Sequence, residues 1–191
     1  MQKNENPVIL SAILFAITAV AALLLAFTNS ITIDKIEAGK IKEQNEAKAY
    51  VMPDAADFEE VDSVLLYEWV DPVNAVYAAK DDAGNVIGYC VDVSPNGFGG
   101  AINMIVGISA DDEITGVKII SMSETPGLGS KAQEPKFKDQ FNAKKTESDL
   151  KVIKSGTPAD DEIIAISGAT VTSKAVTSGI NTASAVVKTL K

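Results

Sequence analysis

The residues best suited to chemistry stand together near the C-terminal end, where Ser167 to Ser173 reads Ser-Gly-Ala-Thr-Val-Thr-Ser directly ahead of a helical repeat. A helix start offers free amides and the positive end of the helix dipole, which together attract anions. Gly168 and Ala169 leave room for a bulky group at that point. The pattern therefore predicts a phosphate held at residues 168–171 with a threonine hydroxyl against it. Helix capping accounts for one hydroxyl, that of Ser167, whose oxygen is placed to accept from an orphan amide. Thr172 and Ser173 offer further hydrogen-bond partners, and Val171 lies between the motif's two threonines. No GxxxxGK[ST] loop is present, which speaks against nucleoside triphosphate hydrolysis.

Two glycine-rich loops precede this motif. Residues 123–130 read Ser-Glu-Thr-Pro-Gly-Leu-Gly-Ser. Pro-Gly favours a type II turn with Gly127 at positive φ, which holds Leu128 at a loop tip between two glycines. Such a loop offers backbone amides and one apolar contact to a flat ring. It lacks the third glycine and the strand-to-helix setting of a dinucleotide fingerprint. The other loop, Gly97-Phe98-Gly99-Gly100, reads first as a backbone device for a bulge or positive φ. Its second reading is a place where backbone approaches a flat ligand.

Composition removes several function classes. The 191 residues contain no histidine and one cysteine, Cys90, with a net charge of −9. Ordinary zinc sites and Ser-His-Asp or Cys-His nucleophiles lack their ligands and bases. The acidity argues against nucleic acid and against electrostatic binding to anionic lipid.

The positioning elements follow from hydrophobic pattern. After a tail at residues 1–7, Val8 to Phe27 carries no charge. About 20 such residues at about 1.5 Å rise cross the hydrocarbon core of a bilayer, so a retained transmembrane helix is expected over residues 8–28. Lys3 precedes it and Lys35, Lys40, Lys42 and Lys48 follow, and counting lysines places the downstream domain in the cytoplasm. A Lys-, Glu- and Ala-rich helical stalk is expected over residues 29–52, broken at Met52-Pro53. One domain then fills residues 53–191. Alternating patterns predict strands at residues 64–70, 75–80, 86–93, around 102–108 and 114–122, joined by tight turns as an antiparallel meander. A short helix is expected at residues 135–141. A helix of about five turns follows from Val171, with Val176, Ile180, Ala183, Val187 and Leu190 on one face. The fold class is α+β, an antiparallel sheet with flanking helices behind one N-terminal transmembrane helix.

Together SETPGLGS, SGATVTS and GFGGAINMIVGISADDEITGVKII (residues 97–120) resemble the FMN-binding domain family, in the family's order and over roughly residues 60–190. The single span and short length are most similar to the G subunits of Rnf complexes, membrane oxidoreductases that couple electron flow between ferredoxin and NAD to ion translocation. The resemblance implies FMN bound through a phosphodiester to Thr170, the threonine of SGAT. It implies a separate flavin transferase that uses FAD as donor. Around the phosphate stand Ser167, Gly168, Ala169, Val171, Thr172 and Ser173, whereas Glu124, Thr125, Gly127, Leu128 and Gly129 border the ring, with Leu128 against it. The implied role is a redox subunit of a translocase, with no metal and no catalytic residue of its own. Its partners are the other membrane subunits, and its soluble domain lies on the outer face of the cell membrane, the opposite of the lysine count. Two related readings stand beside it: a component like the C subunit of the sodium-pumping NADH:quinone oxidoreductase, and an exported flavin carrier serving a separate extracellular reductase. The chain departs from many members at Ile164, where they carry aspartate, and at Met122, where they carry histidine.

Overall fold

The computed structural model describes residues 7–62 and 72–191, and it divides into two compact units, Met1–Lys42 and Glu43–Lys191. The strand expected at residues 64–70 lies outside the described residues. The long helix α1 runs from Pro7 to Val51. Its apolar part exposes Leu14, Phe15, Leu23 and Leu25, and no residue of its most apolar 18-residue window is buried. Ser11 Oγ donates to the Pro7 carbonyl at 2.9 Å and Thr18 Oγ1 to the Leu14 carbonyl at 3.0 Å. Hydroxyls satisfied by the preceding turn are compatible with a hydrocarbon environment. Among the described residues α1 alone is long and apolar enough to cross a membrane.

The second unit begins at Glu43, ahead of the residue 52/53 boundary read from the helix break, because the last turns of α1 are part of its core. Its sheet is antiparallel in the order β1 (Asp57–Glu60), β2 (Val73–Lys80), β3 (Val86–Val93), β4 (Asn103–Ser109) and β5 (Ile114–Ser121). Register pairs Val76 with Val91, Val91 with Val106 and Val106 with Val117. All four valines are buried and belong to one apolar cluster. The same cluster takes in Val176, Ile180, Ala183 and Val187 of α3 (Thr170–Thr189), the apolar face expected from the sequence; Leu190, just beyond the helix, is only partly buried.

On the opposite face the neighbouring row pairs Tyr77 with Cys90 and Cys90 with Gly107. There the end of α1 packs, with Ala47, Val51 and Met52 in a second cluster beside Ala79, Cys90 and Ile105. A Cβ at Gly107 would stand 2.8 Å from the Val51 carbonyl oxygen, so a side chain there would push the helix end off the sheet.

Two features were not expected from the pattern. β1 is a strand of sequence Asp-Phe-Glu-Glu that pairs along β2. β6 (Lys151–Ile153) and β7 (Glu162–Ile164) form a separate two-stranded parallel sheet, and β7 leads directly into the Ser167 turn. The expected helix at residues 135–141 is a single α-helical turn, α2 (Pro135–Lys138), continued by a 3-10 turn to Phe141. The Phe137 and Phe141 rings meet edge to face at 5.5 Å.

Gly107→Val is expected to cost about 1–3 kcal/mol, the usual range for an overpacked site. Thermal unfolding of the full chain in detergent, compared with wild type, reads that loss.

Candidate functional site

Three segments converge at one end of the sheet: the loop after β3, the loop after β5, and the first turn of α3. Glu124, 8% exposed, joins all three. Its Oε1 accepts the Phe98 amide at 2.8 Å and the Gly99 amide at 3.0 Å, and its Oε2 accepts the Thr172 hydroxyl at 2.7 Å. The glycines around it are there for space. A Cβ on Gly99 would lie 2.1 Å from the Ser123 carbonyl oxygen, and one on Gly129 would lie 2.5 Å from Glu124 Oε2 and 2.7 Å from Thr172 Oγ1. Burial by itself raises the Glu124 carboxyl, but the Thr172 hydroxyl and the Gly99 and Phe98 amides outweigh it and hold the group below the ordinary carboxylate value.

The turn at residues 125–128 has the expected form. The Leu128 amide donates to the Thr125 carbonyl at 3.1 Å, and Gly127 has φ +76°. The Gly127 amide donates to Ser130 Oγ at 2.8 Å, which fixes the turn from outside.

The four hydroxyls of the Ser167–Ser173 motif have different fates. Ser173 is fully buried; its oxygen accepts the Ile166 amide at 2.9 Å and its proton goes to the Ala169 carbonyl at 2.9 Å. Thr172 is committed to Glu124. Ser167 does not cap the helix, contrary to expectation. The cap residue is Ala169, no side chain caps the helix there, and Ser167 turns to a neighbouring hollow. The reason is a turn through Ser167 and Gly168, closed by the Ala169 amide donating to the Ile166 carbonyl at 3.0 Å with Gly168 at φ +77°, which starts the helix two residues later than a serine cap requires. Thr170, the first helical residue, is half-buried and lines the central pocket.

That pocket holds about 400 Å³ and is lined by Phe98, Glu124, Thr125, Leu128, Gly129 and residues 168–172. Nine of the twelve residues singled out from the sequence line it; Ser167, Gly127 and Ser173 do not. Two larger hollows, about 650 and about 620 Å³, contain none of residues 168–172; the second reaches the approach to the helix only at Ile166 and Ser167. Chemistry rather than size therefore selects the site. The sequence underrated Phe98, which is 73% exposed at the pocket rim and faces a site also lined by Leu128, 43% exposed, and Val171, 53% exposed. The available signal was an aromatic residue within a glycine run. Cys90 stands apart on the α1 face of the sheet, and burial, opposed by Lys48, pushes its thiol up to about 12. A thiol held in that state is no nucleophile.

Residues 97–185 match the FMN-binding domain, which takes in all three converging segments. The chain is 43% identical over 182 residues to the G subunit of the Na(+)-translocating ferredoxin:NAD(+) oxidoreductase complex of Acetobacterium woodii, covering 90% of this chain and 87% of that one. The chain belongs to the FMN-binding domain family. Within that family it groups with the G subunits, being also 39% identical over 168 residues to the G subunit of the ion-translocating oxidoreductase complex of Methanosarcina acetivorans, covering 87% of each. Among solved structures, the C subunit of the Na(+)-translocating NADH-quinone reductase from Parabacteroides distasonis superposes with a TM-score of 0.52 at 29% identity, covering 61% of this chain and 62% of that one. The alternative C-subunit reading is thus matched as a related fold, while the longer and closer sequence matches are to the G subunits.

Glu124→Ala removes the charged acceptor of two part-buried amides and of the buried Thr172 hydroxyl, and a loss of about 1–3 kcal/mol is expected. Because the folded carboxyl lies below its ordinary value of 4.5, the stability it contributes is fully present above that value and is lost as pH falls through the lower folded one. Denaturant midpoints of wild type and mutant should therefore converge as the pH is lowered below 4.5.

Proposed function

We propose that this chain is a membrane-anchored electron-transfer protein bearing FMN as a phosphodiester on Thr170, within an Rnf-type ion-translocating ferredoxin:NAD oxidoreductase. The observation that carries the reading is the sorting of hydroxyls. Of the four in the motif, Ser173 and Thr172 are used inside the protein and Ser167 faces another hollow, so Thr170 is the hydroxyl that lines the pocket with no internal role.

The pocket residues fit FMN. A volume of about 400 Å³ falls within the usual range of about 300–1,000 Å³ for small-ligand sites. The helix start of α3, with no side-chain cap, presents orphan amides to a phosphate. Phe98, Leu128 and Val171 give an apolar border for a flat ring, and Glu124 keeps the two loops that carry Phe98 and Leu128 at fixed separation from α3. When bound, FMN supplies the reversible electron chemistry, and the chain supplies binding and orientation.

Attachment joins Thr170 Oγ to the FMN phosphorus. The phosphoanhydride bond of FAD breaks, AMP departs, and the threonine proton leaves to solvent or to the transferase. A flavin transferase is therefore a partner in maturation, and the other membrane subunits of the complex are partners in electron transfer. We place the soluble unit on the outer face of the cell membrane, following the family resemblance. A covalent tether suits that location, because it keeps the effective local concentration of cofactor high without tight noncovalent binding.

The test is coexpression of the full chain with a flavin transferase, alongside Thr170→Ala. The wild type should give a band fluorescent under ultraviolet light on a denaturing gel, with the mass of one added FMN residue, and the mutant should be dark. A fluorescent mutant, or a dark wild type beside an active transferase control, would overturn the assignment.

A further inference from the structure

The Glu124 carboxylate does more than hold loops together. It lines the same pocket as Thr170 and is almost wholly removed from solvent. All three of its hydrogen-bond donors are neutral: two backbone amides and one hydroxyl. None of the ion pairs among the described residues includes it. A charge in that situation has no counter-ion to offset its field, and solvent reaches it only through the pocket, where a bound ring would displace that water. Three glycine neighbours, Gly97, Gly99 and Gly129, come so close that any Cβ on them would collide with this carboxylate or with the Ser123 carbonyl. The surrounding chain is thus shaped to admit the carboxylate at one position.

Building on the proposed FMN site, we infer that Glu124 is a potential-setting residue, a fixed buried negative charge that makes the pocket resist reduction of the flavin it holds. Two electrons delivered to an oxidised flavin, with one proton taken up from solvent, leave the ring one unit more negative. A permanent anion in the pocket wall opposes that change and favours the oxidised form. Its neighbours tune the effect only slightly, since amides and a hydroxyl stabilise the carboxylate without neutralising it.

Glu124→Gln isolates the charge. Gln is nearly isosteric, its oxygen can accept the Phe98 and Gly99 amides, and the Thr172 hydroxyl can rotate to accept from its amide. Glu124→Asp does the reverse, keeping the charge while shortening the arm that holds the loops. Both variants and wild type would be prepared as the full chain, loaded by coexpression with a flavin transferase, and checked by intact mass. Midpoint potentials would be read by spectroelectrochemistry in mediator dyes with dithionite as the reductant, and thermal midpoints recorded in parallel.

The expected result is that Glu124→Gln raises the reduced-to-oxidised ratio at fixed poise about tenfold, which is about 30 mV for a two-electron couple. The rise should persist in high salt, because a buried charge is little screened. Glu124→Asp should stay closer to wild type in potential while losing more thermal stability than the Gln variant. A loaded Glu124→Gln protein with unchanged potential overturns the inference. So does an Asp variant shifted as far as the Gln variant, since loop displacement alone would then account for both. Either result leaves the Thr170 attachment standing, whereas absence of flavin from wild type would fall on the proposed function instead.

Discussion

One carboxylate joins the parts of the site. Glu124 takes two amides from the loop after β3 and one hydroxyl from the first turn of α3, and it belongs itself to the loop after β5. The sheet delivers those loops to one end, but hairpin connections alone do not fix how far apart their tips stand. The hydrogen bonds to Glu124 do, and they account for the small residues around it, because Gly99 and Gly129 have no space for a side chain. They also account for the behaviour of Thr172. Its hydroxyl is spent on Glu124, whereas that of Thr170, the same side chain two positions earlier, lines the pocket with no side-chain or backbone partner of its own.

The layers beneath the site are held by separate means. A row of four paired valines and one face of α3 make the core on one side of the sheet. The end of α1 closes the other side against Gly107. The helix that carries the apolar span is therefore also the helix whose last turns are built into the second unit's core. In that core Lys48 is buried, with its ammonium 4.1 Å from the Tyr77 ring centroid. Burial lowers its pKa, and the aromatic face supplies part of the stabilisation that water would otherwise give.

How much was legible in the sequence depended on whether a feature is local. β3 and α3 were visible as periodic patterns, because alternation and the 3.6-residue repeat are imposed by the face each element buries. The turn at Pro126-Gly127 was visible because its backbone angles require those residue types. β1 was not, since Asp-Phe-Glu-Glu has no alternation and exists as a strand only by pairing along β2. The parallel pairing of β6 with β7 was missed because each strand has only three residues, too few to show alternation. At the site, residue types were legible and partnerships were not. Glu124 and Thr172 were both picked out as neighbours of the cofactor, yet their bond to each other spans 48 positions and no spacing rule reveals it. Likewise Ser167 has the right residue type and position for a cap. Only the backbone, which takes an additional turn through Ser167 and Gly168, shows that the helix begins too late for it.

The most direct test of the hydroxyl sorting is to locate the flavin within the motif. Full chain coexpressed with a flavin transferase would be digested, and the peptide spanning Ser167 to Lys174 sequenced by tandem mass spectrometry under conditions that preserve phosphodiesters. The expected result is the whole FMN mass on Thr170, with Ser167, Thr172 and Ser173 unmodified. FMN on Thr172 or Ser173 would contradict the hydrogen-bonding that commits those hydroxyls elsewhere, and FMN on Ser167 would move the attachment point to the neighbouring hollow.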